Sequence, residues 1–122
     1  MDTRPLNFLI LEKDSFIAMD MMQGLSFYEG DCRLHHFHSV DEMHQRLPAT
    51  VDRQHHNIVV TKLSVAEIDA SGLAQLAQHH GCDVVVREGI DSTSSVQARG
   101  WHSLAAPFSQ QDLSVLVNRM HA

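Results

Sequence analysis

The stretch Asn57-Ile58-Val59-Val60-Thr61-Lys62 decides the fold. Its apolar and β-branched residues run without polar alternation, as in a strand covered on both faces, and such strands belong to parallel sheets flanked by helices. Lys62 then stands at the carboxyl end of a central strand. In an open α/β sheet that edge is where ligands bind and chemistry takes place, so the residue type found there bears directly on function.

Upstream, Phe8-Leu9-Ile10-Leu11 is a second uninterrupted apolar run, and it ends in the charged trio Glu12-Lys13-Asp14. Asp14 or Ser15 can cap a following helix in which Ile17, Met21, Leu25 and Tyr28 recur at near-helical spacing. Glu29-Gly30-Asp31 breaks it. Residues 32–38 read as a weaker strand, with Leu34, His36 and His38 on one face and Arg33, His35 and Phe37 on the other. Ser39-Val40-Asp41-Glu42 is a capping box that opens a helix through Val40, Met43 and Leu47, and Pro48 is expected to close it. Residues 49–56 are polar and read as a surface loop.

Downstream of Lys62, the run to Asp69 shows no clear period, whereas residues 72–80 look helical through Leu73, Leu76 and Ala77, with Gly81 as the natural cap. Asp83-Val84-Val85-Val86-Arg87 is another buried strand ending on a charge. Residues 94–99 predict a short helix, and His102-Ser103-Leu104-Ala105 a short last strand that Ala106-Pro107-Phe108 ends. Ser109 to Asp112 resembles a capping signal for a final amphipathic helix carrying Leu113, Leu116, Val117 and Met120. Five strand-helix units predict one α/β domain over residues 1–122, a five-stranded parallel sheet flanked by five helices.

Composition narrows the function classes. A chain of 122 residues can bury one continuous core without disulfides or metal. Its formal charge of -6 lacks the basic field that nucleic-acid binding calls for. Cys32 and Cys82 match no zinc or redox spacing, which suits buried thiols in a reducing cytoplasm. No apolar run follows a basic amino terminus and none exceeds strand length, so neither a signal peptide nor a membrane span is expected. Histidine is abundant, at ten residues, yet only His36 and His38 alternate on a strand and no third ligand is evident. Solvated or hydrogen-bonded imidazoles are expected rather than a metal site.

Taken together, the order and spacing of these segments resemble the receiver domain of bacterial two-component response regulators. Leu9-Ile10-Leu11-Glu12-Lys13-Asp14 is similar to that family's first strand with its acidic end, and Phe16-Ile17-Ala18-Met19-Asp20 to the first helix of one branch. Ile58-Val59-Val60-Thr61-Lys62 resembles the phosphorylation strand, and residues 100–108 the final strand with its Lys-Pro-Phe ending. The resemblance implies a flavodoxin-like sheet in the order 2-1-3-4-5, and a peptide bond before Pro107 that is cis. It also implies chemistry: an aspartate nucleophile ending the third strand, two acidic residues holding magnesium, and a hydroxyl and a lysine holding the phosphoryl oxygens.

Laid onto this chain, those places fall on Lys62, on Glu12 and Lys13, on Arg87 and on Ala106, and only Glu12 keeps the expected chemistry. A misplaced charge at ~4 Å costs roughly 4 kcal/mol at an effective dielectric of 20, so magnesium is not expected to bind, and no other cofactor is implied. The leading expectation is an ion pair between Lys62 and Glu12 that fills the vacated space. It describes a pseudo-receiver, not an enzyme, that acts by protein-protein contact. The partner is expected on the fourth helix, fifth strand and fifth helix, near Trp101, Ser103 and Val115, a face that also suits a homodimer. An alternative is a module that binds a small anion or nucleotide through Lys13, Lys62 and Arg87. A third is a phospho-acceptor working through Asp14 or a histidine.

Overall fold

The computed structural model describes residues 4–28 and 32–121, so the break expected at Glu29-Gly30-Asp31 lies outside the described residues. In chain order the elements are β1 (Leu6–Leu11), α1 (Ser15–Leu25), β2 (Cys32–Phe37), α2 (Val40–Thr50), β3 (His56–Thr61), α3 (Val65–Ala70), α4 (Leu73–His79), β4 (Asp83–Arg87), α5 (Thr93–Ala98), β5 (His102–Leu104) and α6 (Gln110–Met120). The five strands form one sheet in the order β2-β1-β3-β4-β5, every neighbouring pair parallel.

Strand alternation divides the core into two layers. Phe8 and Ile10 of β1, Ile58 and Val60 of β3, and Val85 of β4 face α1 and α6, which return Met21, Leu25, Leu113, Leu116, Val117 and Met120. Leu9, Leu11, Val59, Val84 and Val86 face the other way, onto Met43 and Leu47 of α2, Ile68 of α3, Leu73 and Ala77 of α4, and Val96 of α5. A fully buried side chain of this kind contributes about 1.5–3 kcal/mol, so the two layers outweigh any local cap. The unbroken apolar runs of β1, β3 and β4 are the sequence trace of that two-sided burial.

Three expectations need correction. Among the described residues there are six helices, because α3 fills the stretch after Lys62 where no period is legible. It buries a single residue, Ile68, too few to create a periodic pattern. Ser64 and Glu67 nevertheless form a reciprocal capping box, a local signal that marks the start of α3. Pro48 also fails to close α2, which continues to Thr50. It lies in the last turn on the exposed side, where the lost N–H leaves the carbonyl of exposed His44 to water. The capping of α2 is one-sided as well: Ser39 accepts from the Glu42 N–H, while the Glu42 carboxylate accepts from the His38 N–H. The Ala106–Pro107 bond is cis, as the resemblance implied.

Candidate functional site

Parallel strands bring the carboxyl ends of β1, β3 and β4 to one edge of the sheet, and with them Glu12, Thr61 with Lys62, and Arg87. Among the described residues Glu12 is the one fully buried acid, 3% exposed. The Glu12 N–H donates to the Phe37 carbonyl at 3.0 Å, which extends the β1–β2 ladder by one residue and fixes where the carboxylate projects. Its carbonyl meets His36 Nε2 at 2.7 Å. One carboxylate oxygen accepts from Arg87 Nη1, and the other accepts from the Asp14 N–H at 3.0 Å. Asp14 in turn caps α1, its Oδ1 accepting from the N–H groups of Phe16 and Ile17 at 2.9 and 3.4 Å.

Lys62 approaches the same carboxylate only to 3.8 Å and leaves 55% of its side chain in solvent. The expected Lys62–Glu12 pair therefore exists as the weaker contact, and Arg87 is the buried partner. The geometry of the sheet explains the difference. Arg87 lies two strands from Glu12, a lateral span of roughly 9–10 Å that a guanidinium can cover. Thr61, between them, is short, buried and turned to the Leu63 N–H, which its hydroxyl receives at 3.1 Å. Lys62 follows the last residue of β3 and is already outside the ladder. Arg87 is further covered by Phe108, whose ring centroid lies 5.9 Å from the guanidinium carbon, and its Nε is buried with no hydrogen-bond partner among the described residues. The preference of a planar guanidinium for buried carboxylates was the sequence signal for this pairing.

The remaining expected site residues disperse. Lys13 is exposed and makes no ion pair among the described residues; Ala106 is exposed beside the cis bond. Ser103 and half-exposed Val115 line a cleft of about 260 Å³ between α5, β5 and α6, together with Glu88, Gln97 and Arg119. Trp101 does not belong to it. The indole packs against the opposite core layer and beneath Arg99, whose guanidinium carbon sits 4.4 Å from the ring and whose two Nη groups hold Asp69 at 2.6 and 2.7 Å.

A feature that sequence periodicity did not single out lies on α1 and just beyond it. Phe16, Met19 and Phe27 are 80, 56 and 75% exposed; Phe16 and Met19 lie on the outward side of the helix, since Ala18, Met21 and Leu25 occupy the inward one, and Phe27 follows just past its end. Clefts run along both flanks, one shared with His36 and the other with Phe108 and Gln110. The signal was present in the sequence as surplus large apolar residues outside the Met21/Leu25 register, but only burial tells which set faces the core.

No family model matches the sequence, and no curated protein matches it. Solved structures do. A Francisella response regulator receiver domain superposes with a TM-score of 0.68 at 20% identity, covering 96% of each chain. The signal receiver domain of a Pseudomonas fluorescens HD domain-containing protein gives 0.69 at 17% identity, over 96% of this chain and 94% of the other. The fold is that of a receiver domain. The receiver domain of Saccharomyces cerevisiae Ssk1, crystallised with the histidine phosphotransfer protein Ypd1, adds a TM-score of 0.68 at 13% identity, over 98% of this chain and 92% of that one. All three share the receiver fold at identities where only architecture is common, so the chemistry of this receiver-fold edge rests on its own residues.

Proposed function

We propose that the chain is a pseudo-receiver: a receiver-fold module of bacterial two-component signalling that works by binding a protein and neither accepts nor transfers a phosphoryl group. One observation carries this. Lys62 stands where the resembled family places its phospho-acceptor, while Glu12, the buried acid of that edge, is neutralised by Arg87. An ammonium cannot become an acyl phosphate. A carboxylate with one oxygen on a guanidinium and the other on a backbone N–H is poorly placed to attack phosphorus.

The same residues do not fit a divalent metal. Magnesium wants several hard oxygen ligands in near-octahedral array. Here one carboxylate shares the edge with Lys62 and Arg87, and Lys13 replaces the second acid.

Binding a partner then needs a surface that is open without phosphorylation. The stripe of Phe16, Met19 and Phe27 offers the larger apolar area, and the Ser103/Val115 cleft the smaller. That a receiver domain such as that of Ssk1 was crystallised with another protein supports a partner of this kind here.

Incubation with a small acyl phosphate and magnesium, followed by intact mass spectrometry, tests the central claim. The mass is expected to stay that of the unmodified chain, and a phosphoryl adduct on any residue would sink the proposal. Affinity capture with the Met19→Asp and Val115→Asp variants then separates the two faces, with loss of partner expected for Met19→Asp.

A further inference from the structure

We propose that His56 is a pH-sensitive latch: while its ring is charged it ties the end of α6 to the amino-terminal edge of the sheet, and when the ring loses a proton it lets that end go. The latch is independent of the pseudo-receiver proposal and shares no residue with the Glu12 pocket.

His56 opens β3, where its backbone N–H donates to the Pro5 carbonyl at 2.8 Å. Its ring Nε2 lies 2.5 Å from Asp83 Oδ2 at the start of β4, and its Nδ1 lies 3.0 Å from the carbonyl oxygen of Met120, the last residue of α6. A carbonyl oxygen only accepts hydrogen bonds, and so does a carboxylate that keeps 40% of its side chain in solvent. A neutral imidazole has one N–H and one lone pair, so it can serve one of these two oxygens. Serving both requires a proton on each nitrogen, and the geometry is that of an imidazolium.

The surrounding charges decide which ring holds the proton. His102 of β5 stands near the same carboxylate. Burial first, then Arg119 of α6 and His56 itself, hold its pKa below the ordinary value against the pull of Asp83. Of two imidazoles beside one carboxylate, His56 takes the proton and His102 stays neutral. Arg119 opposes a charge on His56, but it is exposed and screened, whereas Asp83 is in contact. On the remaining sides, His55 is engaged by Asp52 at 3.1 Å, His121 follows Met120, and Leu6, in register with His56 on β1, is apolar with Arg4 two residues before it.

Loss of the proton breaks this set. The remaining N–H stays with the carboxylate, the stronger acceptor, and a bare Nδ1 lone pair then faces the Met120 carbonyl. The last carbonyls of a helix have no partner inside it, so the turn frays when such a donor leaves. Arg119 lies in that turn and lines the cleft between α5, β5 and α6, which the release therefore reaches. A proton held by the folded chain beyond the ordinary histidine value of about 6.5 gives stability that is complete below that value and is lost as pH rises through the folded one.

Two-bond proton–nitrogen correlation spectra of the intact chain read the ring nitrogens of His56 and His102. Amide exchange, expressed as protection factors between about pH 6 and about pH 9, follows the end of α6 across the same titration. At about pH 7 the expected result is two protonated nitrogens on His56 and one on His102. As His56 then titrates, protection at Arg119, Met120 and His121 should fall about tenfold, the loss of one charge-assisted hydrogen bond. His56→Gln, which cannot titrate, should show no such step, and Asp83→Asn should move it to lower pH. The latch is overturned by a His56 ring with a single protonated nitrogen at about pH 7, by protection that does not change as the ring titrates, or by a step that either variant leaves in place. The ring and exchange measurements use the unmodified chain, so they decide the matter even where a variant fails to fold.

Discussion

Arg87 and Lys62 bring the same charge to the same carboxylate, and burial decides what each is worth. Removing Arg87 leaves Glu12 enclosed with one exposed ammonium at 3.8 Å, so Arg87→Met is expected to cost about 3 kcal/mol in urea denaturation, as for a broken buried pair. Lys62→Met, which removes a largely solvated partner, should cost under about 1 kcal/mol. Equal losses for the two variants would show that depth in the structure does not govern this pair. Two histidines add a pH dependence. Burial lowers the pKa of His35 and of His102 from the usual value, in each case as the leading cause. The unfolded chain then binds more protons than the folded one between the lowered values and about 6.5, so stability rises with pH across that window and is lost as pH falls through it. The urea midpoint should drop between about pH 7 and about pH 5.5, and His102→Gln should flatten part of that slope.

At the scale of elements, the contact between α1 and α6 is set by one missing side chain. A Cβ on Gly24 would sit 2.4 Å from Leu113 Cδ1 and 3.0 Å from Gln110 Oε1. Gln110 also donates to the Gly24 carbonyl at 3.0 Å, so the two helices meet there through backbone as well as side chain. A glycine inside a helix costs about 1 kcal/mol in propensity, which Gly24→Ala would recover in isolation. Overpacking costs about 1–3 kcal/mol and should win, so Gly24→Ala is expected to lower the melting temperature. Replacing Gly24 and Leu113 together, as Gly24→Ala with Leu113→Val, should restore part of it; a Gly24→Ala chain more stable than the parent would refute the close approach. For α3 the balance is reversed: with only Ile68 buried, its end is held by the Ser64/Glu67 box and by Asp91 Oδ2, which accepts the Val65 N–H at 2.7 Å.

Across the whole molecule, His56 joins three elements that are distant in the chain. From the start of β3 its Nε2 lies 2.5 Å from Asp83 Oδ2 on β4, and its Nδ1 lies 3.0 Å from the Met120 carbonyl at the end of α6. His56→Ala leaves the half-exposed Asp83 carboxylate and a helix-end carbonyl without these contacts, an expected cost of about 1 kcal/mol. Hydrogen exchange should then quicken in the last turn of α6 before it does in β3, because β3 keeps its ladders to β1 and β4 while the helix end loses its side-chain tether. Uniform quickening over both core layers would show instead that His56 supports the fold as a whole.

How much was legible follows from the range of the forces. The buried runs of β1, β3 and β4, the caps at Asp14 and Ser109, and the stripe of α6 are local patterns, and from them a parallel five-stranded sheet could be read, while its order came from the family resemblance. Alternation also placed Leu34 and Phe37 on opposite faces of β2. The sequence by itself thus determined that Glu12 and Arg87 end buried strands and that a lysine follows β3. Only the tertiary structure decided that Arg87 reaches across β3 to Glu12 while Lys62 stays in water, that Phe16, Met19 and Phe27 face outward, and that His56 meets Asp83 and Met120 at once. Strand patterns are written between neighbours in the chain, whereas an ion pair, an exposed stripe and a side-chain tether depend on distances across the fold that no single segment encodes.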